Sequence, residues 1–397
     1  MKQHYDVCIA GFWYGPNYGS LLNGYAEYCL FKEVLGKEVL MLTRPWRNEV
    51  DNAAKEEMTK GHNAAFLKKY YEPEDISPDL TYNRLKTLNE VCDCFCAGSD
   101  QIWNYPMSFS ENMFLPFADK EKKLISFATS FGHQRDRSPR KVRPRLARYF
   151  RRFSAISVRE QFGVDILRYN YGIKAELVFE PVFCIDKQKY YDLAKAGTMD
   201  VTQPYLLTYI LDPTPEKRAA IVAYSEMLGI RAINILDGQP KNRQHNFEVM
   251  NLPNTYQGIC AEDFLQAYIN AQFVITDSFH GMAFSLIFNK SFIVLGNPRR
   301  GIARFYDMLG RVKQLDRLIP DETAIPIDRK YTLPIDYTIT NQIIKNEVEH
   351  TVEWLRTALE TGKDQLPSVE TDGVFSRLSC YRSILKDTLK KLASVKE

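Results

Sequence analysis

The chain carries the sequence FVITDSFHGMAF at residues 273–284. A short apolar, β-branched run comes first, a polar turn follows, and an apolar helical run begins at Gly281. This order is typical of the strand, loop and helix of an α/β domain with a parallel sheet. In such sheets ligands bind beyond the carboxyl ends of the strands, where helix N-termini direct free N–H groups outward. The segment therefore predicts a site at this loop, with Asp277, Ser278 and His280 as candidates.

The same alternation extends from this segment in both directions and forms two groups of strands. In the first group we predict strands at residues 7–10, 38–42, 92–97, 124–129, 155–158 and 175–179. In the second group we predict strands at 205–211, 231–236, 273–276 and 292–295, with helices at 215–228, 262–270 and from 281. We therefore expect an α/β fold with two Rossmann-like domains, at residues 1–190 and 191–335, and a C-terminal helical tail at 336–397.

Helical patterns occur near both ends of the chain. Apolar residues at helical spacing predict a helix at 22–30, with Ser20 as its N-cap and Gly36 after its last turn. The tail contains two apolar stripes, at 344–359 and 375–392, which we expect to pack against the domains. The second stripe is also basic, so contact with an anionic membrane is the alternative.

Composition narrows the class of function. The chain has 397 residues, 45% of them hydrophobic, which excludes extensive disorder. Lys and Arg number 52 against 49 Asp and Glu, so the chain as a whole is not an electrostatic nucleic-acid binder. No apolar run approaches the roughly 18 residues of a spanning helix, and we expect a cytoplasmic protein. The six His show no H-x-x-x-H spacing and the Cys no C-x-x-C spacing, so we expect no metal site.

Polar side chains also follow strands of the first group. The glycine-punctuated loop after the first strand brings Asn17 and Ser20 to the predicted start of a helix, although a plain tight turn would need no ligand. The loop after the third strand crowds Asp100 and Gln101 beside a tryptophan and an asparagine. A structural turn does not require that combination, so we include both residues in the candidate site.

Three arginines are candidate anion ligands. Arg159 directly follows the fifth predicted strand, and guanidinium groups bind carboxylate or phosphate in a fork. Its alternative role is an ion pair with Glu160 or another acid. Arg300 and Arg304 follow the last strand of the second group and are candidates for a ligand phosphate. For His280 the alternative is an ordinary packed or exposed histidine.

Residues 135–152 hold nine basic residues and one acid. The segment predicts a solvent-facing helix; the alternative is a surface that attracts an anionic membrane or a polyanionic acceptor.

Four motifs, taken together and in this order, resemble the polysaccharide pyruvyl transferase family over roughly residues 5–310. They are Asn17-Tyr18-Gly19, Gly98-Ser99-Asp100-Gln101 with Trp103-Asn104, Ser157-Val158-Arg159-Glu160, and Thr276-Asp277-Ser278-Phe279-His280-Gly281. The resemblance implies a fold similar to the B-type glycosyltransferases, with two Rossmann-like domains facing across a cleft. It also implies transfer of the enolpyruvyl group of phosphoenolpyruvate to two hydroxyls of a sugar, which forms a pyruvate ketal and releases phosphate. This reaction would require no metal and no organic cofactor.

The resemblance assigns donor binding or activation to Arg159 and His280. Relatives often carry an Arg two residues before that His, where this chain has Ser278, and Arg304 or Arg300 is the expected replacement. The usual Asp-Pro after the sixth strand is Glu180-Pro181 here, which keeps the charge.

The resulting hypothesis places Arg159 and His280 on opposite sides of a shared anionic ligand, with Arg304 and a helix N-terminus also neutralising it. His280 serves as phosphate ligand and acid, and Asp100 or Asp277 as base. The expected acceptor is a polysaccharide or lipid-linked oligosaccharide precursor, with peripheral contact to the inner face of the cell membrane. The alternatives are a nucleotide-sugar-dependent glycosyltransferase of B-type fold and a non-catalytic protein of glycan assembly.

Overall fold

Two parallel six-stranded sheets form the centres of two lobes in the computed structural model, which describes residues 1–43, 61, 64–105, 110–236 and 240–370. The first lobe has the strand order β2-β1-β3-β4-β5-β6 and the second has the order β12-β11-β10-β7-β8-β9. The strands of the first lobe are β1 Tyr5–Ala10, β2 Val39–Leu42, β3 Cys92–Ala97, β4 Lys123–Thr129, β5 Ala155–Val158 and β6 Glu176–Leu177. Those of the second are β7 Tyr205–Ile210, β8 Arg231–Leu236, β9 Thr255–Tyr256, β10 Phe273–Thr276, β11 Ser291–Leu295 and β12 Leu318–Ile319.

Helices cover the faces of both sheets, as parallel strands joined by crossovers require. Within the described residues the α-helices of the first lobe are α1 Tyr18–Cys29, α2 Ala64–Tyr70, α3 Tyr82–Leu85, α4 Arg143–Phe150 and α5 Gln161–Ile166. They are followed by α6 Lys187–Ala194, α7 Pro215–Leu228, α8 Pro240–Met250, α9 Ala261–Asn270, α10 Phe279–Ile287, α11 Ala303–Arg311 and α12 Thr338–Glu360.

The expected fold class is confirmed, because both sheets are parallel and lie between helices. Central strands such as β7 and β10 are buried at every position, which explains their continuous apolar sequence. The edge strands β9 and β12 were not predicted, since two residues are too short to give a period. The chain passes from the first sheet to the second between β6 and β7, and the domain limits at 190 and 335 stay predictions.

The predicted start of α1 was wrong by several residues. Asn17, and not Ser20, is the N-cap: its side-chain oxygen accepts the backbone N–H of Ser20 at 3.0 Å. Tyr18 then occupies the first turn and stacks on Phe264 of α9, with ring centroids 5.1 Å apart. This contact brings the N-terminus of α1 against the second lobe.

Helix α12 connects the lobes. At its start, Thr340 donates from Oγ1 to the carbonyl of Val312 in the second lobe. Further along, Thr351 accepts the backbone N–H of Phe179 in the first lobe, and near its end Lys123 donates to the carbonyl of Leu359. The first predicted stripe of the tail therefore packs against both lobes, while the stripe at 375–392 lies outside the described residues. No helix among the described residues is long and apolar enough to cross a membrane.

The basic segment after β4 is only partly exposed. Its one regular helix is α4, and three arginines form ion pairs: Arg143 with Asp136, Arg145 with Glu111, and Arg151 with Glu370. The other basic side chains on its outer face are exposed, and these are Arg135, Arg137, Lys141 and Arg148.

Candidate active site

A cavity of about 340 Å³ lies between the lobes, beyond the carboxyl ends of strands from both sheets. Loops that follow the first-lobe strands contribute Phe12, Tyr14, Pro16, Asn17, Ser20, Asp100 and Gln101. The second lobe contributes Leu211, Ser278, Phe279, His280, Arg300 and Arg304. Of the ten predicted site residues, eight line this cavity; Arg159 and Asp277 do not.

Two helix N-termini meet at the cavity. Asn17 caps α1, and Ser278 caps α10 by accepting the backbone N–H of Gly281 at 3.3 Å. The position where relatives carry an arginine is thus a capping serine in this chain. Free N–H groups and the positive helix ends favour an anionic ligand at this place.

His280 packs directly on the backbone of Gly19. A Cβ atom added at Gly19 would lie 2.3 Å from Nδ1 of the imidazole, so only glycine permits this approach. The other ring nitrogen, Nε2, is buried and lies 3.0 Å from Oε1 of Glu180. The carboxylate therefore occupies the Nε2 side of the ring, and Nδ1 lies against the backbone of Gly19.

The expectation that Arg159 binds the ligand directly stays a prediction, and the surroundings of this side chain do not favour it. Its side chain is fully buried and contacts three carboxylates: Asp100 at 3.1 Å, Glu160 at 3.2 Å, and Glu180. The alternative ion pair with Glu160 is therefore present, although in the interior. Arg159 and His280 do meet over a shared anion, but that anion is Glu180 of the chain itself.

The charges of this cluster and its burial determine the direction in which the pKa of each of its groups shifts. Burial lowers the pKa of Arg159, but the three carboxylates outweigh burial and raise it above its ordinary value. Burial raises the pKa of Asp100, yet Arg159 and His280 overcome this and lower it to about 2. The pKa of Glu180 is lowered for the same reasons, whereas burial raises that of Glu160.

Asp100 is poorly suited to the predicted role of base. Its carboxylate already accepts from Oγ of Ser20 at 2.9 Å, from the backbone N–H of Gln101 at 2.8 Å and from Arg159. A carboxylate with a pKa near 2 has little affinity for another proton. Its φ of +85° is a left-handed conformation that costs energy in a non-glycine residue, and this network holds it there.

Asp277 lies below the cavity and not on its wall. Its two oxygens accept from the backbone N–H groups of Leu211 and Asp212, from Nζ of Lys217 at 2.9 Å and from the amide of Asn297 at 3.1 Å. Every contact fixes the turn after β7 or the loop after β11. The role of Asp277 as a base stays a prediction that these contacts do not favour, because its lone pairs are used within the second lobe.

The two predicted phosphate ligands differ in their charge balance. Arg300 forms a two-point contact with Asp212, through Nε at 2.7 Å and Nη2 at 3.3 Å. Arg304 forms no ion pair with any described residue; its Nη2 donates to the carbonyl of Arg300, and the Gln101 amide lies 2.9 Å from its Nη1. Burial and the charge of Arg159 lower the pKa of Arg304 to about 10, so it still carries its charge at neutral pH.

Sequence reasoning missed the central role of Glu180 and the aromatic wall of the cavity. Glu180 was noted only for its charge, although it follows β6 at the carboxyl edge, the position from which the other candidates were chosen. Phe12 and Tyr14 belong to the loop after β1 and were overlooked beside its polar residues. The same rule, applied to every residue after a strand, would have found all three.

Potential metal ligands lie elsewhere. Among the described residues, one group of three His, Cys, Asp or Glu side chains is close enough to share an ion: His4, Asp6 and Asp93, which are near the amino ends of β1 and β3. They are at the sheet edge opposite the cavity, and His4 and Asp93 contact each other at 2.9 Å.

Three of the solved structures to which this chain is similar match it at low sequence identity. One is Staphylococcus aureus MnaA with UDP, at 11% identity and a TM-score of 0.46, covering 94% of this chain and 93% of that one. Another is the Neisseria meningitidis UDP-GlcNAc 2-epimerase bound to UDP-GlcNAc, at 12% identity and a TM-score of 0.49, covering 87% and 99%. A third is the wall teichoic acid polymerase TagF, at 11% identity and a TM-score of 0.42, covering 97% and 89%.

No curated protein matches the sequence. The family model of the polysaccharide pyruvyl transferases does match, over residues 17–299, and this span contains eight of the ten candidate residues, while Arg300 and Arg304 lie just beyond it. The chain therefore belongs to the polysaccharide pyruvyl transferase family.

Proposed function

We propose that this protein transfers the enolpyruvyl group of phosphoenolpyruvate to two hydroxyls of a sugar, with formation of a pyruvate ketal and release of phosphate. Family membership supports this reaction class. The observation that carries the proposal is that Arg304, a cation with no ion pair among the described residues, lines the same cavity as His280 at two helix N-termini. A small dianionic donor matches that arrangement.

Donor binding falls to Arg304 and the helix ends, since Arg159 is neutralised in the interior. Arg304 and the start of α10 neutralise phosphate and carboxylate, and Arg300 contributes from its contact with Asp212. Asn17, Ser20 and Gln101 supply further polar contacts along the first-lobe wall. Arg159 acts from below by fixing Glu180, which in turn orients His280.

The chemistry requires one group that both gives and takes a proton. Protonated His280 donates to the methylene carbon of the donor, which leaves an oxocarbenium-like centre at C2. The first sugar hydroxyl attacks C2 and returns its proton to His280. The C2–O bond to phosphate breaks, the second hydroxyl closes the ketal, and its proton leaves with the phosphate. Because Asp100 and Asp277 are saturated, His280 serves as both acid and base, a contribution typically worth about 10²–10⁴-fold.

The acceptor occupies the remaining wall of the cavity. Phe12 and Tyr14 provide aromatic faces beside the polar donor end, and such faces suit the apolar side of a sugar ring. We propose a polysaccharide or lipid-linked oligosaccharide precursor as acceptor, in the cytoplasm. The exposed arginines Arg135, Arg137 and Arg148 would hold the protein on the inner, anionic face of the membrane.

The test is turnover with defined substrates. Purified protein is incubated with phosphoenolpyruvate and nitrophenyl or lipid-linked sugars, and we expect phosphate release in step with a product of the ketal mass. Arg304→Met should raise KM for phosphoenolpyruvate, while Arg329→Met, at an exposed arginine far along the chain, should not. Absence of ketal on every acceptor, together with transfer from a nucleotide sugar, would overturn the proposal.

The class of donor can also be determined from ligand binding, without an activity assay. A ligand at 100 times its Kd stabilises the folded state by about 2.7 kcal/mol. Thermal shift by phosphoenolpyruvate and not by nucleoside diphosphates is expected, and the reverse contradicts the proposal.

For the membrane contact, we expect flotation with anionic vesicles that high salt abolishes, and no flotation with neutral vesicles.

A further inference from the structure

Glu27 is a buried acid beneath the cavity that the reaction does not use. It lies on α1, with its side chain against the first sheet and only 2% of the residue exposed. Its Oε1 accepts the backbone N–H of Ser99 at 3.0 Å. A Cβ added at Gly98 would lie 2.8 Å from its Oε2, and one at Gly11 would lie 3.9 Å away. The carboxyl thus fills the space between the loops that follow β1 and β3.

Those two loops supply most of the first-lobe wall. The loop after β1 leads through Phe12 and Tyr14 to the cap of α1, and the loop after β3 carries Asp100 and Gln101. Ser99, the residue that Glu27 holds, immediately precedes Asp100 with its left-handed backbone. A shift of the Glu27 carboxyl would therefore reach Asp100 within one residue.

The charge state of Glu27 differs from that of its neighbours. No Lys, Arg or His of the described residues forms an ion pair with it, and burial raises its pKa to about 8, with Asp100 adding to the effect. The groups that face it are Asp100, with a pKa of about 2, and Cys96 and Tyr71, whose pKa values are raised well above the ordinary ones. Of these four groups, Glu27 is the one whose charge changes between pH 7 and 9.

We propose that Glu27 is a positioning residue: as an uncharged carboxylic acid it holds the loops after β1 and β3 at the spacing that places Asp100 and the cap of α1 around the cavity. Loss of its proton puts a second negative charge beside Asp100, and the repulsion between the two carboxylates displaces Asp100 from its place at the cavity. The cavity then binds its anionic ligand weakly. The prediction for ligand binding rests on the proposed function, whereas the prediction for the carboxyl itself does not.

The binding experiment compares wild type with Glu27→Gln, which keeps the shape of the neutral acid. Titration calorimetry with phosphoenolpyruvate at pH 7 and pH 9 should show about tenfold weaker binding to wild type at pH 9, since one pH unit above the pKa leaves about a tenth of the acid protonated. Glu27→Gln should bind within about twofold of wild type at pH 7 and show no loss at pH 9. Glu33→Gln, at a half-exposed acid beyond α1, should keep the wild-type profile. An unchanged alkaline loss in Glu27→Gln overturns the proposal.

Carboxyl NMR on protein labelled at the glutamate carboxyl carbon tests the positioning without donor or turnover. The resonance that disappears in Glu27→Gln should titrate near pH 8, and titration near 4.5 overturns the proposal. Gly98→Ala should shift that titration because its methyl collides with Oε2, and Gly11→Ala, with ordinary contact distance, should leave it in place. If wild type binds no phosphoenolpyruvate at either pH, the proposed function fails, and the carboxyl titration decides the role of Glu27 alone.

Discussion

Each lobe has a cluster of acidic and basic side chains at the carboxyl edge of its sheet, and the two clusters differ in where their positively charged partners come from. In the second lobe Lys217 contacts Asp277 at 2.9 Å and Glu322 at 2.7 Å, while Arg300 holds Asp212. In the first lobe Arg159 is the one cation of the lobe that pairs with Asp100, Glu160 and Glu180 among the described residues. Glu180 has a further partner in the imidazole of His280, which comes from the other lobe.

The difference separates a structural cluster from one that couples the lobes. The second-lobe acids find their cations within their own lobe, so that cluster fixes two turns. The first-lobe cluster gains its last contact only when α10 docks against α1, at the cavity. Charge balance in the first lobe therefore depends on the same residue that the proposed chemistry needs, which argues that docking and reactivity are linked.

The largest expected effect concerns that shared residue. His280→Ala should reduce kcat/KM for ketal formation by about 10²–10⁴-fold, because it removes the proton donor and acceptor. His350→Ala is the matched control, since His350 lies half-exposed on α12 and contacts Glu176 at the surface. Steady-state kinetics measures both. If His280→Ala retains activity, the first-lobe cluster has only a structural role, like the second-lobe cluster.

Replacing the central cation of either cluster should lower the stability of the protein, whereas only the replacement in the first lobe should weaken ligand binding. Arg159→Met and Lys217→Met each leave buried carboxylates without their partner and should cost about 3–5 kcal/mol in urea unfolding. Arg356→Met, which breaks an exposed pair on α12, should cost about 0.5 kcal/mol or less.

The two clusters then differ in ligand binding. In the folded fraction at low temperature, Lys217→Met should bind phosphoenolpyruvate like wild type. Arg159→Met should bind it weakly, because Glu180 and Asp100 lose the positive charge that holds them in position. Equal loss of binding in both variants would remove the proposed distinction.

A smaller effect is expected from the contact between the lobes. Gly19→Ala places a methyl 2.3 Å from Nδ1 of His280, so the ring must move, and we expect about a ten- to hundredfold loss of activity. Gly310→Ala on α11 meets nothing within 4 Å and should stabilise the protein by about 0.5–1 kcal/mol through helix propensity. Activity assays with thermal unfolding measure both. An active Gly19→Ala enzyme would show that His280 does not depend on this approach.

The smallest effect is the acid dependence of stability. The pKa of Asp100 in the folded protein, about 2, lies below its ordinary 3.8, so its contribution is complete above pH 4 and is lost as the pH falls towards 2. The difference corresponds to about 2 kcal/mol. Urea unfolding between pH 5 and 2.5 should show a shallower loss for Asp100→Asn than for wild type. Asp212→Asn, in the more exposed second-lobe pair, should change the slope less, and the opposite order contradicts the comparison.

Much of the fold could be predicted because the strands and helices of a parallel α/β sheet have a strong hydrophobic pattern in the local sequence. The strands β3, β5, β8 and β10 have the predicted limits, since each is a short apolar run closed by polar or glycine residues. The start of α1 was misplaced because Asn and Ser are both good caps, and their spacing cannot tell which one lies outside the first turn. The two-residue edge strands of the second lobe, β9 and β12, were not predicted, whereas the equally short β6 was.

Among the site residues, the sequence placed Asp100, His280 and Arg304 at one cavity by the rule that loops meet at the carboxyl edge. The same rule could not separate residues on the wall from those beneath it. Arg159 and Asp277 follow their strands just as closely, yet each turns inward to partners distant in sequence: Glu180 for Arg159 and Lys217 for Asp277.

The sequence by itself determined the two parallel lobes and the sheet edge at which most of the candidate residues lie, because hydrophobic period and loop position are local properties. The family followed from the resemblance of four motifs in the sequence. Only the tertiary structure decided which positively charged side chains are neutralised by carboxylates of the chain and which are available to neutralise a ligand. That depends on how many carboxylates surround each of them after folding, and those carboxylates come from other strands and, for His280, from the other lobe.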